Sequence, residues 1–330
     1  MDNKITKKRL VSFLSYEWIK VLVIIVAAIV FFEVLFTVTA VRLSSGQQFK
    51  LIYDEKIDTN FNSNLLQVTC VENDKSLFSY EVQKIDAETM LEGKDNVLSV
   101  RYETKDVDVV ITHKTQVEGE NVRVKTLIDN LDCWSFEKAL TDCENYLSAF
   151  LKDGVINNEL SKNQAVYDYN NLDQGKIEDN FKVKHKKDNR FRSQKNYQLG
   201  LELERERIKN IVADMTDVKY LLENHSEIFF RYTKYEQIVT NMPLSSDYRE
   251  EAYKNYCDLY AKETEQSYAI DIEKLSNGKY SVADYFTKDG LSKDVVLISF
   301  DYINLQPDLQ FETLRFITSV VRNFSNFLDE

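Results

Sequence analysis

Six polar residues stand where three predicted strands end, and they are the first candidates for chemistry in this sequence. In open α/β sheets, ligands bind outside the carboxyl ends of the strands. Hydroxyl, imidazole and carboxylate groups are suitable partners for polar solutes such as sugars and peptides. The six ligand-binding candidates are Tyr53, Asp54, Thr112, His113, Asp301 and Tyr302. The alternative is that they are ordinary loop residues, because the strand-end rule locates a region and not particular side chains.

The sequence lacks the common motifs of catalysis. No GxGxxG, GxxxxGK, HExxH or GxSxG run occurs. Ser135 and Lys138 have the SxxK spacing of penicillin-recognising enzymes, but the partner SDN and KTG motifs are missing, and Ser135 is better explained as the N-cap of a helix. His113, His185 and His225 have no helical i, i+4 histidine partner. We therefore predict no enzymatic activity, no metal site and no cofactor.

A membrane span is the strongest pattern in the sequence. Val21–Val41 is apolar except for Glu33, Thr37 and Thr39. As a helix it would be about 31 Å long, which matches a hydrocarbon core of about 30 Å and predicts a transmembrane helix embedded in lipid.

The carboxyl of Glu33 lies near the middle of this predicted span, where an ionisable residue costs on the order of 3 kcal/mol. Glu33 is therefore a candidate contact for another membrane subunit, such as a transporter permease; the alternative is a protonated carboxyl that a very apolar helix tolerates.

The charges that flank the span predict its orientation. More Lys and Arg residues precede it than closely follow it, so residues 1–20 are expected in the cytoplasm and the C-terminal domain outside the cell membrane. Signal-peptidase cleavage after Ala40, with Val38 at the −3 position, is an alternative that would release the rest of the chain. The apolar run is longer than the core of about 7 to 15 residues of a usual signal peptide, which favours an uncleaved anchor.

The composition describes an acidic domain with a packed core. The formal net charge is −12, which argues against nucleic acid and anionic lipid as partners, and the 19 Tyr and 19 Phe argue against disorder. The four cysteines lack CxxC spacing, which disfavours a zinc site. An exported position permits disulfides. The four are Cys70, Cys133, Cys143 and Cys257. Cys143 and Cys257 lie on the apolar faces of predicted helices, however, which favours buried free thiols over disulfides.

Hydrophobic periodicity predicts an α/β domain after the span. Strands are predicted at 49–54, 77–85, 107–112, 227–234, 267–272 and 295–301. Helices are predicted at 61–70, 121–130, 135–152, 199–222, 248–261 and 306–328. Residues 96–105 fit either a short helix or one arm of a hairpin. The strands thus cluster at both ends of the domain, with a helical middle.

One basic stretch interrupts the acidic domain. Residues 182–195 contain seven Lys and Arg residues and a single acidic residue, Asp188. Such a run is either a solvated surface or a docking site for an acidic partner or an anionic polymer.

The order of elements resembles the two-lobed extracellular solute-binding proteins of the periplasmic-binding-protein-like superfamily. The segments that carry the resemblance are FKLIYD, FSYEVQKID and DVDVVITHK, followed by YAIDIEKL and VVLISFDYINLQPDLQFETLRFITSV. Three further segments are similar to membrane-anchored members found in Firmicutes: LSYEWIKVLVIIVAAIVFFEVLFT, YLSAFLKDG and DNRFRSQKNYQLGLELERERI. The sequence departs from such receptors because it has no lipobox cysteine and little Gly or Pro, and no ligand-binding fingerprint can be transferred to it.

The resemblance implies a domain organisation and a function. Residues 47–130 and 262–330 would form an α/β lobe, and residues 131–261 a second, mostly helical lobe. We expect a membrane-anchored extracytoplasmic protein that is solute-binding-like and is an accessory or sensor component of a transport system, with a small solute as its ligand. The alternative is a structural or interaction subunit of a membrane complex that has lost ligand binding.

Overall fold

The chain divides into two compact units, Met1–Ser44 and Ser45–Glu330. The computed structural model describes residues 7–39, 47–54, 71–72, 75–90, 95–114, 123–153, 155, 160–234, 265–276 and 295–328.

The first unit contains a continuous helix, α1, from Lys7 to Thr39. No Pro or Gly interrupts this stretch, so the helix begins well before the predicted span. Its segment Trp18–Phe36 has a mean hydropathy of 2.8, and none of it is buried. This helix is long and apolar enough to cross a membrane, which is compatible with a single-pass membrane protein. Ala40 and Val41, the last two residues of the predicted span, lie outside the described residues.

The second unit contains both strands and helices. The described strands are β1 Gln48–Asp54, β2 Val71–Glu72, β3 Lys75–Ser76, β4 Lys84–Met90, β5 Val109–His113, β6 Phe229–Tyr232, β7 Gln266–Asp271 and β8 Val295–Ser299. The described α-helices are α2 Asp95–Glu103, α3 Arg123–Asn130, α4 Phe136–Ser148, α5 Lys162–Ala165, α6 Gln174–Lys184, α7 Gln194–Asn224 and α8 Pro307–Phe324. The second unit is therefore a mixed α/β fold.

Six of the strands form one mixed sheet in the order β4-β1-β5-β8-β7-β6, while β2 and β3 pair separately. Strands β4, β1 and β5 run parallel to one another. Strand β8 runs antiparallel to both of its neighbours, β5 and β7, and β6 runs antiparallel to β7. Strand β7 therefore points in the same direction as β1 and β5.

The sheet is buried on both faces, because side chains of successive strand residues enter two different cores. In β5, Val109 and Ile111 pack into one hydrophobic cluster and Val110 into the other. Residues of α4, α7 and α8 complete the first cluster, and residues of α2 and α3 complete the second. The domain thus has three layers, with helices on either side of the sheet. A strand buried on both faces is expected to be a continuous apolar run, as VVITH nearly is.

Most elements predicted from periodicity are confirmed, with ends that differ by a few residues. The predicted strands 49–54, 107–112, 267–272 and 295–301 correspond to β1, β5, β7 and β8. Residues 96–105 resolve as a helix, α2. The helices predicted at 61–70 and 248–261 lie outside the described residues.

The strand predicted at 77–85 is wrong, because the chain bends and turns until β4 begins at Lys84. The alternating apolar residues there do not reflect a pleat. Phe78 packs against Phe49 in the core, while the backbone N–H of Ser79 donates to the carboxylate of Glu312 (3.1 Å). Side chains satisfy the backbone of this segment, so no neighbouring strand is needed to do so.

Two local predictions are confirmed. Ser135 caps α4, and its hydroxyl accepts a hydrogen bond from the backbone N–H of Lys138 (3.2 Å). Cys143 is a buried free thiol on the apolar face of α4, and Cys133 is also buried and free. Cys70 and Cys257 lie outside the described residues.

The two-lobed organisation stays a prediction. Helices α4 and α7, which fall in the predicted second lobe, contribute Leu147 and Met215 to the same hydrophobic cluster as Phe49 and Leu297 of the predicted first lobe. The packing therefore joins residues from both predicted lobes on one face of the sheet.

Candidate functional site

One edge of the sheet collects the carboxyl ends of four strands. Tyr53 of β1 is in register with Ile111 of β5, so the last residues of these parallel strands lie side by side. In the same way, Asp54 at the end of β1 is in register with Met90 at the end of β4. We call this boundary the carboxyl edge; it is defined by the ends of β1, β4, β5 and β7.

Strand β7 joins this edge because β8 is reversed between it and β5. Val296 of β8 is in register with Thr112 on one side and with Asp271 on the other. Asp271, which the sequence analysis did not single out, therefore lies at the same edge as Thr112, with β8 between them. The strand-end rule, applied to the predicted strand 267–272, could have found it.

The reversal of β8 also corrects the grouping of the six candidates. Ser299 at the end of β8 is in register with Val109 at the start of β5. Asp301 and Tyr302 therefore lie at the opposite edge of the sheet from Tyr53, Thr112 and His113. The rule assumes that the strands are parallel, and β8 is not. The side chain of Asp54 lies outside the described part of the structure.

An ion pair marks the carboxyl edge. Lys114, the residue after β5, places its Nζ 2.6 Å from Oδ2 of Asp271, and Lys274 lies 3.6 Å from the same oxygen. Asp271 is 3% exposed, and its other oxygen, Oδ1, has no hydrogen-bond partner among the described residues. A buried acceptor without a hydrogen bond lowers the stability of the fold by about 1 to 3 kcal/mol, so its presence indicates a role other than stability.

The predicted candidates at this edge are buried, whereas a binding surface needs side chains that a ligand can reach. Tyr53, Thr112 and His113 are all buried. The side chain of Lys114 is 19% exposed and is the more accessible member of its ion pair. Among these residues of the carboxyl edge, Lys114 is therefore the most accessible, and its partner Asp271 is as buried as the predicted candidates.

At the opposite edge, Asp301 and Tyr302 have structural partners. The carboxylate of Asp301 lies 2.5 Å from Nζ of Lys138 and accepts a hydrogen bond from the N–H of Ile303 (3.1 Å). The ring of Tyr302 is buried beside Tyr102, with centroids 5.7 Å apart. These contacts fix the turn between β8 and α8.

A second polar site lies inside the domain and was not predicted from the sequence. We call it the interior ionic cluster, and its members are Tyr80, Glu81, Lys184, His185, Glu204, Arg207 and Asp308. Its most buried members are Glu204 and Arg207, which are 1% and 2% exposed. Helical spacing of i, i+3 places them together on α7, but on the sequence alone this pair looks like any solvent-facing charge pair.

The guanidinium of Arg207 contacts partners on three elements. Its Nε lies 2.7 Å from Oε2 of Glu204, its Nη2 donates to the hydroxyl of Tyr146 (2.5 Å), and its Nη1 lies 3.1 Å from Asp308. Burial opposes the charged form of Arg207, but Tyr146 and Glu204 outweigh burial and raise its pKa well above the usual value. Arg207 therefore stays charged in the interior.

The other half of the cluster holds Glu81. Lys184 places its Nζ 2.7 Å from Glu81 and 2.8 Å from Asp308, and Nε2 of His185 lies 3.3 Å from Glu81. Burial raises the pKa of Glu81, but the neighbouring His185 and the charge of Lys184 have the larger combined effect, so the net shift is downward. Tyr80 connects the two halves, with its hydroxyl 2.9 Å from Glu204 and 3.1 Å from His185.

The interior ionic cluster joins parts of the chain that are far apart in sequence. It links the segment before β4 to the end of α6, to α7 and to the start of α8. Its cations and carboxylates pair with each other, which is the arrangement of a structural connection. Within the described residues, no group of three or more His, Cys, Asp or Glu is placed to hold a metal ion.

Glu33 lies within the apolar segment of α1, where the neighbouring side chains Phe32 and Val34 are 64% and 55% exposed. Its own side chain belongs to the exposed surface of the helix. An ionisable residue in such a segment is costly in lipid and is usually functional.

No protein-family model, curated protein or solved structure matches this chain. The fold and the site define it as a mixed α/β domain that follows an N-terminal apolar helix.

Proposed function

We propose that this protein is a membrane-anchored, extracytoplasmic solute-binding-like protein whose ligand binds at the carboxyl edge of the sheet, as an accessory or sensor component of a transport system. The observation that carries the proposal is the Lys114–Asp271 ion pair at the point where β5 and β7 end together. Ligands in α/β sheets bind outside such strand ends.

Two further observations support the proposal. The segments that resemble the returning strands of solute-binding proteins form β7 and β8, and they join the same sheet as β1 and β5. The apolar helix α1 offers the anchor, and the flanking charges favour a cytoplasmic N-terminus with the domain outside. Whether the α/β domain divides into two lobes belongs to the same proposal.

The charges at the carboxyl edge indicate the class of ligand. Lys114 suits an anionic group, and the buried second oxygen of Asp271, once uncovered by a side-chain movement, suits a hydrogen-bond donor such as an ammonium or hydroxyl group. A small polar solute that carries both kinds of group, such as an amino acid or short peptide, fits better than a purely apolar one.

The test is thermal unfolding of the full chain in lipid nanodiscs against a panel of amino acids, short peptides and sugars. A ligand that binds the folded state stabilises it by about 2.7 kcal/mol at about 100 times its dissociation constant, which raises the melting temperature. We expect a shift with one compound class. A flat panel from a cooperatively unfolding protein would contradict the proposal.

A matched pair of variants locates the site. Lys114→Met removes the cation of the carboxyl edge, whereas Lys138→Met removes a cation paired with Asp301 at the opposite edge. We expect the ligand-induced shift to disappear in Lys114→Met and to remain in Lys138→Met. Persistence of the shift in Lys114→Met would place the ligand elsewhere, and loss of the shift in both variants would show that the effect is not specific to the carboxyl edge.

A second candidate function is favoured by Glu33. We propose, as the alternative, that the protein is a structural or interaction subunit of a membrane complex, held to another membrane subunit such as a permease through this carboxyl. The observation behind it is an ionisable side chain on the exposed face of an otherwise apolar helix.

Co-purification from membranes separates this alternative from the first proposal. Glu33→Gln keeps a hydrogen-bonding group, whereas Glu33→Leu removes it. We expect a partner held by Glu33 to be lost in Glu33→Leu and to be retained at least in part in Glu33→Gln. Retention of every partner in Glu33→Leu would refute the alternative and leave solute binding untouched.

A further inference from the structure

The basic stretch 182–195 forms the tip of a helical hairpin. Helix α6 ends at Lys184, a short turn and a 3-10 helix follow, and α7 begins at Gln194. The two helices are antiparallel, because Phe181 contacts Tyr197 while the earlier residue Glu178 pairs with the later residue Arg205. We call residues 182–195 the cationic tip.

The structure separates the seven cations of the cationic tip into two groups. Lys184 and Arg190 turn inward: Lys184 pairs with Glu81 and Asp308, and Arg190 pairs with Asp188 (2.7 Å). The other five are exposed and form no ion pair among the described residues; they are Lys182, Lys186, Lys187, Arg192 and Lys195. The tip therefore has an unneutralised positive surface on an acidic protein.

The single acidic residue of the tip does not offset this charge. Asp188 accepts hydrogen bonds from the side chain and backbone of Arg190 and lies 3.1 Å from Nδ1 of His185. The hydrogen bonds from the Arg190 side chain hold the pKa of Asp188 at about 2, so it stays ionised and committed to these partners.

The tip is also held rigidly. Phe191 packs against Phe181 and His185, with ring centroids 5.2 and 4.9 Å apart. Gly200 of α7 permits this approach, since a Cβ there would lie 2.5 Å from the Phe191 ring. Ser193 caps α7 by accepting from the N–H of Asn196 (3.2 Å). The five exposed cations thus project from a fixed scaffold, which lowers the entropy cost of binding.

We propose that the cationic tip binds a linear, phosphate-bearing polyanion. The chemistry is complementary, because Arg192 can present a guanidinium fork to phosphate and the four lysines add point charges. The shape favours a flexible chain. The five cations are spread over the end of α6, the turn and the start of α7, so a flexible polymer can contact them one after another, whereas a flat anionic bilayer is less able to follow such a turn. The net charge of −12 opposes contact with the rest of the surface.

The experiment measures binding of fluorescent inorganic polyphosphate to the full chain in zwitterionic nanodiscs, as a function of salt. The test variant is Lys186→Gln/Lys187→Gln/Arg192→Gln. The control variant is Lys125→Gln/Lys162→Gln/Lys209→Gln, which removes three exposed cations elsewhere and changes the net charge equally.

We expect the test variant to bind at least about tenfold more weakly at low salt, with a slope of log affinity against log salt that is smaller by about 2. The control variant should bind as the unaltered protein does. Equal losses in the two variants, or no binding of polyphosphate at low salt, would overturn the proposal. Stronger binding to anionic vesicles or to polyglutamate through the same three residues would also overturn it. Melting-temperature shifts with small solutes are independent of all these outcomes.

Discussion

Replacement of Arg207 by Met should destabilise the domain more than replacement of any surface cation. Met matches much of the side-chain volume but removes the guanidinium from a position that is 2% exposed. Glu204, at 1% exposed, then loses the partner that lies 2.7 Å away, and the hydroxyl of Tyr146 loses its donor. Breaking a buried ion pair by removing one member costs about 3 to 5 kcal/mol, because the other charge stays buried without compensation.

The matched control is Arg205→Met, two positions earlier on the same helix. The side chain of Arg205 is 35% exposed and lies 3.7 Å from Glu178, which is also partly exposed. Such surface pairs contribute about 0 to 1 kcal/mol. Urea unfolding of the detergent-solubilised chain measures the difference. The fluorescence of Trp134, which is buried beside α4, reports the α/β domain, and the other tryptophan, Trp18, lies in α1.

A double variant checks the cause. If the cost in Arg207→Met comes from the stranded carboxylate, then Glu204→Gln in the same chain should restore part of the stability. We expect the two changes to be non-additive by about 1 to 3 kcal/mol. Equal stability of Arg207→Met and Arg205→Met, or strict additivity in the double variant, would show that Arg207 does not compensate the buried carboxylate of Glu204.

Three further predictions concern single positions. Burial raises the pKa of Asp108 to about 8 from 3.8, so the folded state holds its proton more tightly and loses stability as pH rises from about 4 to 8. The stability of Asp108→Asn relative to the unaltered protein should therefore increase over that range, by up to about 1.4 kcal/mol per pH unit in urea unfolding; a pH-independent difference would contradict this. Lys105 has φ 59°, a left-handed conformation that Gly adopts more easily than Ala. Lys105→Gly should therefore unfold at a higher urea concentration than Lys105→Ala, and the reverse order would show that backbone strain is not the deciding factor. Gly200→Ala should lower the free energy of unfolding, measured with urea, by about 1 to 3 kcal/mol in spite of the better helix propensity of Ala, because its Cβ would meet the rings of Phe191 and Phe181; an unchanged free energy of unfolding would mean that the rings move aside.

Local patterns were enough to predict most elements of the fold. The apolar run around Glu33 predicts the long helix α1 because a membrane-length apolar segment has few alternatives. The continuous run VVITH predicts a strand buried on both faces, and β5 is one. Ser135 predicts the start of α4 because its hydroxyl satisfies an N–H that the helix leaves open.

The predictions that failed depend on strand direction and on backbone contacts between distant residues. The segment 77–85 alternates in hydrophobicity as a strand does, but Glu312, more than two hundred residues away, takes the N–H of Ser79. Asp301 and Tyr302 were grouped with Tyr53 and His113 because the sequence does not show that β8 runs antiparallel to β5.

The sequence by itself determined the long apolar helix α1, the α/β composition and the positions of the strand ends, because each follows from the local order of apolar and polar residues. Tertiary structure alone decided which strand ends meet, and so brought Lys114 to Asp271. It also decided which of the similar charges in residues 182–207 are buried and which are exposed. Burial of a charge depends on partners from distant elements, and no pattern within one helix specifies them.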